Sequence, residues 1–179
     1  PRSNGTVSSN VPVLLGGLEM RSVKILLAVF AALFCIIYAV QNIVNLQAGH
    51  GFVTYVASMA DHAAYPAHIG PPVTAPLLTW IMFLVIIALE LSAGLLAGKG
   101  AWDMFQARNA SAGEFGAAKQ YALVGCGIAI IVWFGLFGAI AGGYFQAWQT
   151  EAGGNAVREA ALFAIQHGIV LLVLATKDD

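Results

Sequence analysis

The stretch that decides the fold is residues 23–45, VKILLAVFAALFCIIYAVQNIVN, in which nearly every side chain is apolar. At ~1.5 Å of helical rise per residue it is long enough to cross a hydrocarbon core of ~30 Å. Residues 75–98, 121–148 and 154–175 are as long and almost as apolar. Lipid offers the backbone no hydrogen-bond partner, so each stretch should be helical. The sequence therefore predicts an all-α, polytopic membrane protein built as a four-transmembrane-helix bundle.

Composition agrees with a membrane location. Hydrophobic residues make up 59% of the 179-residue chain and charged residues 9%, against roughly 45–50% and about 25% in soluble domains. The net charge of -1 leaves no basic stripe to neutralise phosphates, so no nucleic-acid partner is expected. Cys35 and Cys126 lie in different apolar stretches at different expected depths, which argues against a disulfide between them.

The predicted organisation is an N-terminal arm, residues 1–19, followed by the transmembrane domain, residues 20–179, with an outer loop at 46–74 and an inner loop at 99–120. The outer loop contains no lysine or arginine. Basic residues gather on the other side of the spans, namely Arg21, Lys24, Lys99, Arg108, Lys119 and Lys177. The positive-inside rule then predicts that the arm, both termini and the inner loop are cytoplasmic, in the bacterial cytoplasmic (inner) membrane.

Two polar side chains within the spans form the first candidate site. Glu90 lies ~21 Å along the second span and His167 a similar distance along the fourth, which runs in the same direction. A carboxylate at that depth is costly unless it is paired, protonated or hydrated. We therefore hypothesise an intramembrane polar pair of Glu90 and His167, with Gln166 or Tyr38 as further candidates. The alternative is a protonated Glu90 bonded to a backbone carbonyl or Ser92, beside a structural His167.

The outer loop supplies a second candidate site. His50, Asp61, His62 and His68, with Met59 nearby, carry side chains that bind copper or zinc if the loop folds them together. Their spacing matches no standard metal motif. The alternative is a surface loop with solvated histidines.

Glycines four residues apart form the third feature. Gly94 and Gly98 lie in the second span, and Gly138 and Gly142 in the third. Small residues at this interval let helix backbones approach closely in lipid. We expect these glycines to pack helices within the chain, with docking of another subunit as the alternative.

Several stretches together resemble a known family. They are FVTYVASM at 52–59, the intramembrane Glu90, GGYF at 142–145, WQ at 148–149, and Arg158. This pattern resembles the bacterial family of predicted small integral membrane proteins, a domain of unknown function, over about residues 20–175. The resemblance implies four helices and a membrane location.

The chain departs from that family at two points. In the family that the chain resembles, members usually carry an acidic residue and a tryptophan after the glycine pair, and an asparagine–glycine turn before the arginine. Here Tyr144 and Phe145 follow the glycines, and Gly154 precedes Asn155. A chemical role of that acid in relatives is therefore not expected in this chain.

The leading functional hypothesis is a non-catalytic accessory subunit of a larger bacterial membrane complex of respiratory, photosynthetic or oxygenase type. The sequence has no nucleotide-binding motif, no pair of histidines within the spans to bind haem and no nucleophile–base spacing. These absences make an enzymatic function less favoured. Expected partners are membrane lipids and other integral membrane subunits. No intrinsic cofactor is predicted, although lipids or partner-bound cofactors are compatible. The alternatives are a small transporter or proton-conducting protein using Glu90 and His167, and a metal-handling protein using the outer-loop histidines.

Overall fold

The computed structural model describes residues 11–178, with side chains from residue 20 onward. Its helices are α1 (Val11–Val44), α2 (Leu46–Ala57), α3 (Pro76–Gln106), α4 (Ala112–Ala118), α5 (Gln120–Ile130), a π-helix (Ile131–Tyr144), a short 3-10 turn (Ala147–Gln149) and α6 (Glu151–Ala175). The described residues contain no strand. Four helical segments are long and apolar enough to cross a membrane, namely Met20–Val44, Pro76–Gln106, Ala112–Tyr144 and Glu151–Ala175. The predicted all-α membrane fold is confirmed.

The helices extend beyond the predicted spans at several points. Of the predicted arm, residues 1–10 lie outside the described part of the chain, and residues 11–19 continue α1 as helix. The predicted outer loop begins with a helix, α2, because no proline interrupts residues 46–57. This helix lies close to α3, since a Cβ on Gly49 would overlap the ring of Phe83. The first part of the outer loop is therefore a packed element of the bundle.

Small residues bring α1 and α3 together. A Cβ added to Gly94 would lie 2.6 Å from Cγ1 of Ile36 and 3.1 Å from the carbonyl oxygen of Ala32. Gly98, one turn further along, faces the Cβ of Ala32 at 3.7 Å. Both glycines of the second span therefore face α1, at a distance that a larger residue at position 94 would not permit.

A second close contact joins α3 to α5. Gly100 faces Ala122 so closely that an added Cβ would overlap its backbone. A Cβ on Gly125 would lie 2.6 Å from the backbone nitrogen of Ala97 and 2.7 Å from the carbonyl oxygen of Ala93. Backbone atoms cannot move aside as a flexible side chain can, so the close approach of α3 and α5 depends on these glycines.

The third span changes helix type halfway. It is α-helical (α5) up to Ile130 and π-helical from Ile131 onward. The π-helix ends with a hydrogen bond between residues five apart, in which the Phe145 N–H donates to the Ile140 carbonyl at 2.9 Å. Along this change the span diverges from α3, while it stays packed against α6. Gly142 lets the π-helix lie close to α6, because a Cβ there would lie 3.2 Å from Cγ1 of Val157.

We call the end of the bundle that carries Lys24 and Asp178 the basic end, and the opposite end the α2 end. At the α2 end, Gln149 fixes the segment between α2 and α3: its Oε1 accepts from the Tyr65 N–H at 2.7 Å and its Nε2 donates to the Tyr65 carbonyl at 3.1 Å. The Tyr144 hydroxyl donates to the Pro71 carbonyl at 3.3 Å. The segment is thereby attached to the end of the third span.

The glycine contacts predict a position-specific effect on stability. Gly125→Val should lower the free energy of unfolding by about 2 kcal/mol, because the added atoms meet backbone that cannot yield. Gly127→Val is the matched control in the same helix, since a Cβ at position 127 meets nothing within 4 Å, and it should change stability by less than about 0.5 kcal/mol. Unfolding in mixed detergent micelles measures both, and equal losses would contradict the proposed contact.

Candidate functional site

Glu90 is held between α3 and α1. Its side chain is 2% exposed, and Oε2 accepts a hydrogen bond from Nδ2 of Asn42 at 2.9 Å. Glu90 lies one helical turn from Gly94, where α1 and α3 approach most closely. The glycine contact therefore sets the rotation that directs the carboxyl group towards α1. Ser92, the alternative partner, instead donates to the Ala88 carbonyl of its own helix at 2.7 Å.

His167 projects from α6 towards a different part of α1. Its Nδ1 lies 2.8 Å from the Phe163 carbonyl, which only accepts, so Nδ1 carries the proton and donates. In the neutral ring Nε2 is then an acceptor, and the Cys35 thiol at 3.5 Å is its donor. Both ring nitrogens therefore have partners inside the bundle.

Aromatic rings surround this histidine. The His167 ring centroid lies 4.9 Å from that of Trp133 and 5.2 Å from that of Phe34. Phe34 also contacts Tyr38, stacked at 4.7 Å, and Phe163, edge-on at 4.9 Å. Aromatic pairs at these separations contribute stability beyond their buried area. The cluster joins α1, α6 and the π-helix at mid-bundle.

The expected hydrogen bond between Glu90 and His167 is replaced by these two separate contacts. Their partners on α1, Asn42 and Cys35, are seven residues apart, which is about 10 Å along a helix. Similar distances along α3 and α6 therefore do not bring the two side chains level. A proton relay between them would have to bridge two turns of α1.

Neither further candidate joins the two groups. Gln166 is exposed although the adjacent His167 is buried, because adjacent helical residues point about 100° apart. Tyr38 packs its ring within the aromatic cluster, and among the described residues it makes no hydrogen bond to Glu90 or His167.

The histidines of the α2 end are in two places. His50 on α2 stacks on Trp80 of α3 at 3.9 Å between ring centroids, and its Nε2 lies 2.9 Å from the Thr79 hydroxyl. His62 and His68 lie together, 5.4 Å apart.

The predicted four-residue metal set is thus not assembled. The described part of the chain contains no group of three or more His, Cys, Asp or Glu side chains placed to hold a metal. Asp61 accepts a hydrogen bond from the Tyr55 hydroxyl at 3.3 Å. Burial and the neighbouring His68 lower the pKa of His62, against an opposing effect of Asp61. The lowered pKa favours neutral imidazole at the α2 end.

Two buried lysines close the basic end. Lys24 and Lys119 contact the two carboxylate oxygens of Asp178, at 2.6 and 2.5 Å. Both also donate to the Thr176 carbonyl, at 3.0 and 2.8 Å. This carbonyl belongs to the C-terminal end of α6, where unpaired carbonyls and the helix dipole favour positive charge. The two lysines therefore attach the end of α6 to α1 and to the start of the third span.

Arg21 fixes the connection after α3 in the same way. Its Nη1 donates to the carbonyls of Arg108 at 3.1 Å and Ala110 at 2.7 Å, and its guanidinium lies 4.9 Å from the Phe115 ring centre. From the sequence alone, these basic residues indicate topology and not the contacts that they make. Lys24 gave a usable signal for its structural role, because it lies within the first apolar stretch, where an unpaired ammonium would be costly.

The outward face of α6 differs from the other lipid-facing surfaces. Only 17% of its most apolar window is buried inside the bundle, against 28–33% for the other three spans. Glu159, Leu162, Gln166 and Ile169 are exposed along it, at alternating intervals of three and four residues. That spacing places them on one line of the helix surface, as in the seam of a coiled coil.

These features define an integral membrane protein with four spanning helices and polar contacts between them. The family described as predicted small integral membrane protein, DUF2165, matches residues 20–177, and the chain belongs to this family. The match includes all four spans and confirms the resemblance predicted from the sequence. No curated protein and no solved structure matches the chain.

The contact between α1 and α3 predicts unequal effects of its two partners. Asn42→Leu should lower the free energy of unfolding by about 1–3 kcal/mol, because Glu90 is left buried without its donor. Glu90→Gln should cost less, since an amide of the same shape can still accept from Asn42. Thermal unfolding in detergent distinguishes the two, and a Glu90→Gln loss as large as that of Asn42→Leu would contradict the role given to the hydrogen bond.

The basic end predicts a pH-dependent effect. Burial raises the pKa of Asp178, but the hydrogen bonds and charges of Lys119 and Lys24 outweigh it, so the pKa lies below its usual 3.8. A lowered pKa stabilises the fold above the usual value, and the contribution is lost as the pH falls through the lowered one. Asp178→Asn should therefore cost about 2 kcal/mol at pH 7, and its difference from the parent should shrink below the usual pKa.

Asp103→Asn is the matched control for this experiment. Asp103 pairs with Lys99 at 2.5 Å on the surface of α3, where the lysine is 54% exposed. Such exposed pairs contribute less than about 1 kcal/mol. Melting curves for both variants should differ clearly at pH 7, and equal effects would sink the assignment of Asp178 as the partner of two buried cations.

Proposed function

We propose that the chain is a non-catalytic accessory subunit of a larger bacterial membrane complex, of respiratory, photosynthetic or oxygenase type, and that α6 is its docking helix. The observation that carries the proposal is Gln166. Its amide is exposed within a spanning helix, about 14 Å from the basic end of α6. Hydrocarbon cannot hydrogen-bond an amide there, so a neighbouring helix is the fitting partner.

The contrast with the buried polar groups supports this proposal. Glu90 bonds to Asn42, His167 to Cys35 and the Phe163 carbonyl. Gln166 makes no side-chain hydrogen bond among the described residues. The polar groups inside the bundle are thus used to hold it together, whereas this amide points away from it.

The residues beside Gln166 fit a helical partner. Leu162 and Ile169 are 58% and 56% exposed and flank the amide on the same line of α6. Glu159 adds a second exposed polar group, seven residues before Gln166. An apolar seam interrupted by one amide sets both affinity and register between two helices. The proposed partner is therefore a transmembrane helix of another subunit.

The proposed orientation follows the charges of the described loops. Lysine and arginine surround the basic end, and the segment joining α2 to α3 has none. The positive-inside rule favours a cytoplasmic basic end, with both termini on that side of a bacterial inner membrane. Membrane lipids are the other proposed contact, and no intrinsic cofactor is part of the proposal.

Co-purification tests the docking role. Tagged chain extracted from its native membrane in mild detergent should retain integral membrane partners, and Gln166→Leu should lose most of them while the protein still folds. Gln166→Asn keeps an amide and should retain part of the binding. Gln41→Leu, which removes an exposed amide from α1, is the matched control. Equal recovery of partners with Gln166→Leu and the parent chain would contradict the proposal.

A further inference from the structure

A cavity of about 240 Å³ opens on the side of the bundle towards the α2 end. Its walls come from α2, α3, the π-helix, the start of α6 and the short segment between the π-helix and α6. Every lining side chain is apolar or is a glycine. Such a lining offers no hydrogen bond to water or to a polar ligand, and even an engineered apolar cavity of about 150 Å³ stays dry and binds benzene.

The π-helix creates this space. The third span packs closely on α3 along α5 and diverges from it along the π-helix, while both parts of the span contact α6. The gap it leaves beside α3 is the cavity. Hydrogen bonds five residues apart bring Leu136 and Ala141 nearer to one line than an α-helix would, and both line the wall. π-Helical geometry is rare in proteins, and where it occurs it is frequently found at functional sites.

The cavity lies at the level of hydrocarbon and opens towards it. Its lining on α3, residues 81–86, begins about 7 Å and ends about 15 Å below the start of the helix at Pro76. Ile81, Val85 and Ile140 line it and are 43–48% exposed on the lipid-facing surface. The molecules at such an opening are the acyl chains of the surrounding lipids.

We propose that this cavity is a binding site for one acyl chain of a membrane phospholipid, held between α3 and the π-helix. Three features support this occupant: the apolar walls, the position within the apolar spans and the lateral opening. The site requires no partner subunit, because all its walls belong to this chain. It is therefore independent of the docking role of α6.

Photolabelling of the purified full-length chain tests the site. The probe is a phosphatidylethanolamine that carries a diazirine midway along one acyl chain, included as a minor component of phosphatidylcholine vesicles. After irradiation, adducts located by mass spectrometry should be enriched several-fold on Met82, Phe137 and Ala141 relative to Leu162 and Ile165 of the outward face of α6. Equal labelling of the two regions would overturn the proposal.

Filling the cavity provides the matched comparison. Ala141→Phe adds a ring from the π-helix wall and should remove the enrichment, whereas Ala161→Phe adds the same ring on the exposed face of α6 and should leave it intact. If Ala141→Phe does not fold, Ala156→Phe fills the cavity from the α6 wall. Enrichment that persists in a folded, filled variant would contradict the proposal. So would its removal by an excess of a polyisoprenoid but not of unlabelled phospholipid.

Discussion

The structure depends on one constraint: hydrocarbon offers no hydrogen bonds, so a polar group within a span needs a partner in protein. The backbone meets this constraint by being helical. The side chains meet it by pairing across helices, as Glu90 does with Asn42 and His167 with Cys35. At the basic end, Lys24 and Lys119 share Asp178 and the end of α6. Each pair joins different elements. The need for a partner within protein therefore also fixes how the helices are arranged.

Glycine and alanine determine which polar groups can meet. The close approach at Gly94 sets how α3 lies on α1 and so directs Glu90 to Asn42. The approach at Gly125 holds α5 against α3, and the π-helix then diverges from α3 while staying in contact with α6. The third span therefore packs closely on one half of α3, through α5, and leaves a gap beside the other half, along the π-helix. The proposed lipid site is the consequence of that change in helix type.

The sequence is sufficient to predict the four spans, because length and apolarity alone decide whether a segment can cross a bilayer. It also identifies Glu90 as a carboxyl group whose burial in the membrane requires a hydrogen-bond partner. The partner could not be predicted, since α1 carries the amides Gln41 and Asn45 beside Asn42, and only the helix rotation fixed by the Gly94 contact selects Asn42. The π-helix could not be predicted either, because a segment that is apolar on all sides has no hydrophobic periodicity to distinguish helix types. Gln166 was expected near the polar pair, yet its position on α6 turns it outward.

The measurement that tests the account most directly is site-specific photocrosslinking in native membranes, with a photoreactive residue at position 162 or 169 and Gln166 left intact. A matched probe at Leu84, exposed on α3, reports contact with lipid alone. We expect a discrete adduct between α6 and a different membrane protein, weakened by Gln166→Leu, whereas the probe at position 84 should form adducts with lipid only. Adducts to lipid alone at both faces, or a crosslink solely between two copies of this chain, would contradict it.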